Sequence, residues 1–162
     1  MLATLGGGAG DFAVEAATPD APPTQRLHLG FYAPSHDAVQ AFWQAGIDAG
    51  YRDDGPPGPR PVYRDDYYGG FLLDPDGNSA EAVYLDDPAT VGQVDHVWVR
   101  VADVAAARDR HRATFERAGF QLARDSPERA GFSGPGAAFS FVAGEPTEHV
   151  VVALGGDAVV AL

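Results

Sequence analysis

Two histidines that open similar segments, and one glutamate between them, are the residues of this sequence best suited to chemistry. His28 precedes the segment 29–32 and His96 precedes the segment 97–99, and both segments are short apolar or aromatic runs. Two imidazoles and one carboxylate, here that of Glu81, can hold a divalent metal and leave its other positions open. Because each histidine stands at the same place in a repeat, pseudo-symmetry gives a physical reason for the two to meet.

The repeat predicts two copies of one unit, a strand, a helix and three further strands. The helices are predicted at 38–47 and 104–117, with Asp103 as the N-cap of the second. Gly50 and Gly119 follow the helices, as expected of a glycine that ends a helix. Extended segments are predicted after the helices at 51–53, 67–73, 80–85, 120–124, 130–132 and 138–143, and the Pro/Gly-rich stretch 55–61 is predicted to be a long loop.

The two ends of the chain resemble incomplete copies of the same repeat. Residues 25–86 form one predicted unit and 94–148 the other, whereas 1–24 resembles the tail of a unit and 149–162 the start of a further one. A permuted arrangement and a fragment of a longer tandem array are both compatible with this pattern. The two units can pair within one chain or between two chains. A homodimer is the expected assembly, because the terminal segments have unpaired strand edges that another chain could cover.

Composition narrows the classes of partner. The chain has 162 residues, 45% of them hydrophobic, and a formal net charge of −12, which indicates a globular protein that repels nucleic acid and anionic membrane surfaces. It contains no cysteine, so disulfides, thiolate metal sites and cysteine nucleophiles are excluded. No membrane-spanning run or secretory leader stands out, and the expected location is the cytoplasm.

The segment 67–83 resembles the closing hairpin of the vicinal oxygen chelate superfamily: an aromatic strand, the turn Asp-Pro-Asp-Gly-Asn, and a strand that carries a glutamate. The resemblance extends over roughly residues 10–155. That superfamily includes glyoxalase I, extradiol dioxygenases, fosfomycin-resistance thiol transferases and bleomycin-binding proteins. The resemblance implies an α+β fold in which two βαβββ modules form a cupped mixed β-sheet with the helices on the outside.

The same resemblance implies a metal site. His28 and His96 occupy the first-strand ligand positions of the two modules, and Glu81 occupies the last-strand position. His149 aligns with His28 and is the alternative second ligand, depending on which modules pair. The glyoxalase I pattern would add a carboxylate near Ser140, where the sequence has none. This departure favours the subfamilies that use two histidines and one glutamate, the extradiol dioxygenases and the fosfomycin thiol transferases.

The resemblance therefore implies a metal-dependent enzyme that acts on a small molecule with adjacent oxygens as a dioxygenase, a lyase or isomerase, or a thiol transferase. The metal would be Fe, Mn, Zn or Ni. Two alternatives stay open: a binding protein of the bleomycin-resistance type without chemistry, and a degenerate or truncated module without metal. Side chains that could contact substrate, or could simply pack or be solvated, are Tyr63, Tyr67, Tyr68, Arg60 and Arg64; His36 and His111 are expected to be structural.

Overall fold

Twelve strands and two helices make up the part of the chain that the structure describes. The computed structural model describes residues 2–4, 12–13, 16–86, 94–134, 136–155 and 158–161. In chain order its elements are β1 (Leu2–Thr4), β2 (Phe12–Ala13), β3 (His28–Tyr32), α1 (His36–Asp48), β4 (Arg52–Pro59), β5 (Tyr68–Leu73), β6 (Ser79–Tyr84), β7 (Val94–Val101), α2 (Val104–Arg117), β8 (Gln121–Asp125), β9 (Arg129–Ser133), β10 (Ala138–Ala143), β11 (Val151–Gly155) and β12 (Ala158–Ala161).

The two predicted βαβββ modules form one continuous sheet within a single chain. Its eight strands run in the order β4-β5-β6-β3-β7-β10-β9-β8. The sheet is mixed, because β3 pairs in parallel with β6 and β7 pairs in parallel with β10, whereas the other pairs are antiparallel. The modules join through β3 and β7, so the first strand of each module lies at the centre of the sheet. The fold class predicted from the sequence is confirmed.

Local signals in the sequence explain both helices. The side chain of Ser35 caps α1 by accepting a hydrogen bond from the backbone of Ala38, and α1 begins two residues before its predicted start. Asp103 caps α2, which has the predicted bounds. Gly50 and Gly119 follow the helices with φ of 88° and 83°, the left-handed conformation that glycine adopts at low cost. Among the described residues, neither helix is long and apolar enough to cross a membrane.

The prediction of a loop over 55–61 is wrong for its first part. Residues up to Pro59 belong to β4, which pairs with β5 through a register that shifts on both sides of Gly55. β4 is the edge strand of the sheet. Proline lacks a backbone N–H, and an edge strand tolerates this because one side of it needs no hydrogen-bonded neighbour.

The terminal segments form a second, four-stranded sheet in the order β12-β11-β1-β2. In the segment 1–24 the structure describes 2–4, 12–13 and 16–24. In the segment 149–162, predicted to begin a further module, the structure describes 149–155 and 158–161, which include the antiparallel pair β11 and β12. Buried residues of this pair, such as Val152 and Val160, belong to the same hydrophobic cluster as the core of the second module.

The eight-stranded sheet has two faces of different character. On the face covered by the helices, five buried phenylalanines fill the second module: Phe115, Phe120, Phe132, Phe139 and Phe141. Side chains alternate between the faces of a strand, so His96 and Trp98 lie opposite the buried Val97 and Val99 of β7. We call the face away from the helices the site face. The packed helix side gives this face a rigid support.

Candidate metal centre

Three neighbouring strands at the middle of the sheet bring the predicted ligands together on the site face. His28 lies on β3, Glu81 on β6 and His96 on β7. Gly30 of β3 is in register with Glu81 on one side and with His96 on the other. The pairing of β3 with β7 thus places the two repeat-opening histidines next to each other, as the pseudo-symmetry predicts.

The three side chains converge on one point through one atom each. The Nε2 atoms of His28 and His96 lie 2.8 Å apart. Oε2 of Glu81 lies 3.2 Å from Nε2 of His28 and 3.4 Å from Nε2 of His96. The glutamate side chain is 1% exposed and that of His96 is 7% exposed, so the arrangement is shielded from water.

This triangle has the dimensions of one face of a metal coordination shell. Metal–ligand bonds of about 2.1 Å at right angles separate neighbouring donor atoms by about 3.0 Å. Hydrogen bonds alone explain the triangle less well, because each imidazole Nε2 carries at most one proton. If both carry one toward Glu81, the contact between the two Nε2 atoms is repulsive. A single cation satisfies all three contacts at once, so the donor set fits a divalent metal.

Two further side chains hold the ligands in orientation. Nδ1 of His96 lies 2.6 Å from Oδ2 of Asp95, and a proton on this Nδ1 leaves the Nε2 lone pair directed at the other ligands. Such a carboxylate partner is typical of metal-binding histidines. The hydroxyl of Tyr67 donates a hydrogen bond of 2.7 Å to Oε1 of Glu81, which leaves Oε2 for the convergence point.

Burial and hydrogen bonding shift the titration of these groups in different directions. Burial opposes a charge on His96, but hydrogen bonds to Asp95 and Glu81 outweigh it and raise the pKa of His96 to about 9. At His28 burial prevails and the pKa is lowered. Burial opposes the charge of Glu81 too, yet hydrogen bonds from His28 and His96 lower the pKa of the glutamate, which is therefore ionised. Burial, followed by the charge and the hydrogen bond of Glu81, raises the pKa of Tyr67, so its phenol is protonated.

Two glycines make room for the ligands. A Cβ added at Gly30 would overlap the imidazole of His96, and one added at Gly69 would lie 2.5 Å from Oε1 of Glu81. Distances this short require the neighbour to move, and the neighbours here are the candidate ligands themselves. Gly30 lies within the first-strand run 29–32 of the repeat, but only the strand pairing shows what it accommodates.

Of the remaining candidates from the sequence, two lie near the convergence point and two lie away from it. Tyr67 is buried beside Glu81, and Tyr63 is half-exposed with its ring 5.2 Å from that of Tyr67. Tyr68 lies on the helix face, where it accepts a hydrogen bond from Gln40 of α1, so it is not part of the site. His149 is exposed and contacts Glu148 at 3.8 Å, away from the convergence point.

The other polar candidates are mostly engaged elsewhere. Arg64 pairs with Asp66 through two hydrogen bonds of 2.6 Å. Arg60 donates to the backbone carbonyls of residues 56 and 59, and its guanidinium lies 5.4 Å from the ring centre of Phe71. The histidines expected to be structural contact neighbouring rings: His36 stacks on Tyr68, and His111 lies tilted against Phe141.

Sequence reasoning missed Trp98 and Arg129, which lie next to the candidate ligands. The guanidinium carbon of Arg129 lies 4.2 Å from the centre of the Trp98 ring, and the Trp98 ring is 5.4 Å from the His96 ring. Trp98 and Tyr63 line both of two cavities, one of about 430 Å³ that His28 also lines and one of about 250 Å³ that His96 also lines. The alternation along the strand that begins near His96 would have marked Trp98 as a site-face residue.

Comparison with known proteins supports the fold and leaves the activity open. No model of a known protein family matches the sequence, and no curated protein matches it. Among solved structures, methylmalonyl-CoA epimerase from Mycobacterium tuberculosis is 13% identical, with 82% of this chain and 94% of that chain covered and a TM-score of 0.50.

Two further solved structures match with TM-scores below 0.5. A hypothetical protein from Bacillus halodurans C-125 is 16% identical over 75% of this chain and 95% of that chain, with a TM-score of 0.49. Glyoxalase I from Zea mays is 19% identical over 76% of this chain, with a TM-score of 0.48, and the match covers 45% of the maize chain. Identities this low establish architecture only, and this architecture is the vicinal oxygen chelate fold.

Proposed function

We propose that this protein is a metal-dependent enzyme of the vicinal oxygen chelate type that acts on a small molecule with two adjacent oxygens. One observation carries the proposal: Nε2 of His28, Nε2 of His96 and Oε2 of Glu81 converge within 3.4 Å of one another in a shielded position. A buried ionised carboxylate is costly to keep unless it is paired. A divalent cation at this point would compensate the negative charge of the buried Glu81 carboxylate.

Each side chain has a role in this proposal. His28, His96 and Glu81 hold the metal, which as a Lewis acid would polarise the two bound substrate oxygens. Asp95 orients His96 through the 2.6 Å contact at Nδ1, and Tyr67 orients the carboxylate of Glu81 through its hydroxyl. Tyr63, half-exposed beside both cavities, is placed to hydrogen-bond a substrate hydroxyl.

The site has three protein ligands, because the position on β10 that corresponds to Glu81 carries no carboxylate. Ser140 of β10 is in register with Trp98, two residues beyond His96, just as Glu81 is in register with Gly30, two residues beyond His28. The position related to Glu81 therefore carries a hydroxyl. Three protein ligands suit ring cleavage of a catechol-like substrate with Fe(II), and lyase, isomerase or thiol-addition chemistry with Mn(II), Zn(II) or Ni(II). A homodimer and a cytoplasmic location remain predictions from the sequence.

Metal analysis tests the proposal directly. Protein purified without chelator is expected to carry close to one metal ion per chain by mass spectrometry, and His28→Ala and Glu81→Gln are expected to carry far less. Added Fe(II), Mn(II), Ni(II) or Zn(II) is expected to raise the melting temperature of the wild type, since a ligand at 100 times its Kd adds about 2.7 kcal/mol of stability.

His149→Ala is the matched control, because it removes an exposed histidine that aligns with His28 in the sequence but lies away from the site. It is expected to bind metal as the wild type does. Metal loss in His149→Ala, or equal metal content in all four proteins, would contradict the assignment. A wild type that no metal stabilises would favour a binding protein without metal.

A further inference from the structure

A partly buried guanidinium stands beside the candidate metal centre without a carboxylate partner in the described part of the chain. Nε of Arg129 donates a hydrogen bond of 3.0 Å to Oγ of Ser140, and the guanidinium carbon lies over the Trp98 ring, 4.2 Å from its centre. Among the described residues, no carboxylate lies within ion-pair distance of it. Burial, and next the charge of Arg124, lower the pKa of Arg129, as expected of a cation without a compensating anion.

The cavity beside this guanidinium also contains a candidate metal ligand. His96 and Arg129 both line the cavity of about 250 Å³, together with Tyr63, Tyr67 and Arg124. No acidic side chain of the described residues lines it. The sequence has 23 acidic and 11 basic residues, so a cavity whose described lining has two arginines and no carboxylate has a charge opposite to that of the protein as a whole. A small molecule bound at His96 therefore meets positive charge on this side.

The internal symmetry of the fold explains how the positive charge arises. Ser140 occupies the position on β10 that Glu81 occupies on β6, and Arg129 on β9 bonds to this serine. A carboxylate at position 140 would pair with Arg129 and neutralise it. Serine, being neutral and small, orients the guanidinium through Nε and leaves the two terminal nitrogens free of any bond within the described residues.

We propose that Arg129 binds an oxyanion group of the substrate, a carboxylate or a phosphoryl group, while the adjacent oxygens of the same molecule occupy the metal centre. The planar guanidinium presents two parallel N–H donors, which match the oxygens of either group. The ring of Trp98 below the guanidinium restricts its motion, so little side-chain entropy is lost when the anion binds. This inference rests on the proposed function and narrows its substrates to anionic molecules.

Binding of matched probes to the metal-loaded protein tests the inference. Calorimetric titration compares neutral catechol with three anionic probes: 3,4-dihydroxybenzoate, 3,4-dihydroxyphenylacetate and 3,4-dihydroxyphenylphosphonate. The anionic probes carry an oxyanion at two different distances from the catechol ring. Since a hydrogen bond between two charged groups strengthens binding, at least one anionic probe is expected to bind roughly tenfold or more tightly than catechol. The carboxylate and phosphonate arms distinguish the two sources of the oxyanion.

Variants assign the effect to Arg129. In Arg129→Gln the anionic probes are expected to bind no better than catechol, with catechol affinity and metal content retained. Arg129→Lys keeps the positive charge but loses the two parallel N–H donors of the guanidinium. It is expected to keep part of the preference for anionic probes over catechol. Arg108→Gln, which removes a surface guanidinium paired with Asp109 and Asp125, is the control and is expected to keep all of it.

The outcomes separate the two proposals. Equal binding of catechol and every anionic probe, or a preference that survives in Arg129→Gln, overturns the inference and leaves the metal centre intact. A preference that disappears in Arg60→Gln instead assigns the anion to the other cavity and also overturns it. If the metal-loaded wild type binds none of the probes, the proposed function fails, and the inference fails with it.

Discussion

Removing the hydroxyl of Tyr67 tests whether Glu81 is held in place for a metal. Tyr67→Phe deletes one oxygen and the hydrogen bond of 2.7 Å to a carboxylate that is 1% exposed. A hydrogen bond to a buried charged group contributes about 1.5–3 kcal/mol, because the carboxylate would otherwise lose a partner without gaining water. We expect the free energy of unfolding of the metal-free protein to fall by about that amount.

Metal affinity is expected to fall as well. Without the bond at Oε1 the carboxylate can rotate, and Oε2 no longer lies at a fixed distance from His28 and His96. Loss of a side chain that orients a metal ligand typically weakens metal binding by roughly tenfold to a hundredfold. Urea denaturation of the metal-free protein and competition titration with a chromophoric chelator measure the two effects separately.

Tyr84→Phe is the matched control. The hydroxyl of Tyr84 also donates to a carboxylate, that of Asp86, at 3.1 Å, but this pair lies at the surface. Its removal is expected to leave both the stability and the metal affinity close to those of the wild type. If Tyr67→Phe binds metal as tightly as Tyr84→Phe does, Tyr67 does not position Glu81 and the reasoning is refuted.

Three further predictions follow from the same geometry. Gly30→Ala is expected to fold but to lose bound metal, because the new Cβ overlaps the imidazole of His96, and full metal content by mass spectrometry would contradict this. Metal affinity is expected to rise with pH up to the pKa of His96, about 9, because below that pKa the imidazole is protonated and must lose the proton on Nε2 before this atom can bind metal. An affinity independent of pH in calorimetric titrations would exclude that proton. Asn78→Ala is expected to destabilise the protein by about 1–3 kcal/mol in urea denaturation, since the buried side chain accepts from the backbone of Leu27 just before β3, and an unchanged midpoint would show that the bond is dispensable.

The sequence predicted those parts of the fold that depend on short-range patterns. Asp103 and Gly119 mark the ends of α2, and the structure has the predicted bounds because caps act within one helical turn. The sequence predicts a loop for residues 55–59, which belong to the edge strand β4, because prolines are tolerated in a strand only where no further strand pairs. Edge position is a property of the assembled sheet, which local composition does not reveal.

The sequence by itself determined the candidate ligands His28, Glu81 and His96, because a repeat and a hairpin motif mark them locally. Only the tertiary structure decided that they meet within one chain, through the pairing of β3 with β7, and that His149 lies elsewhere. It also decided which neighbours surround them. Arg129 meets His96 across Trp98 only because β9, β10 and β7 are adjacent in the sheet. Such contacts depend on long-range register and strand order, and no spacing along the chain encodes them.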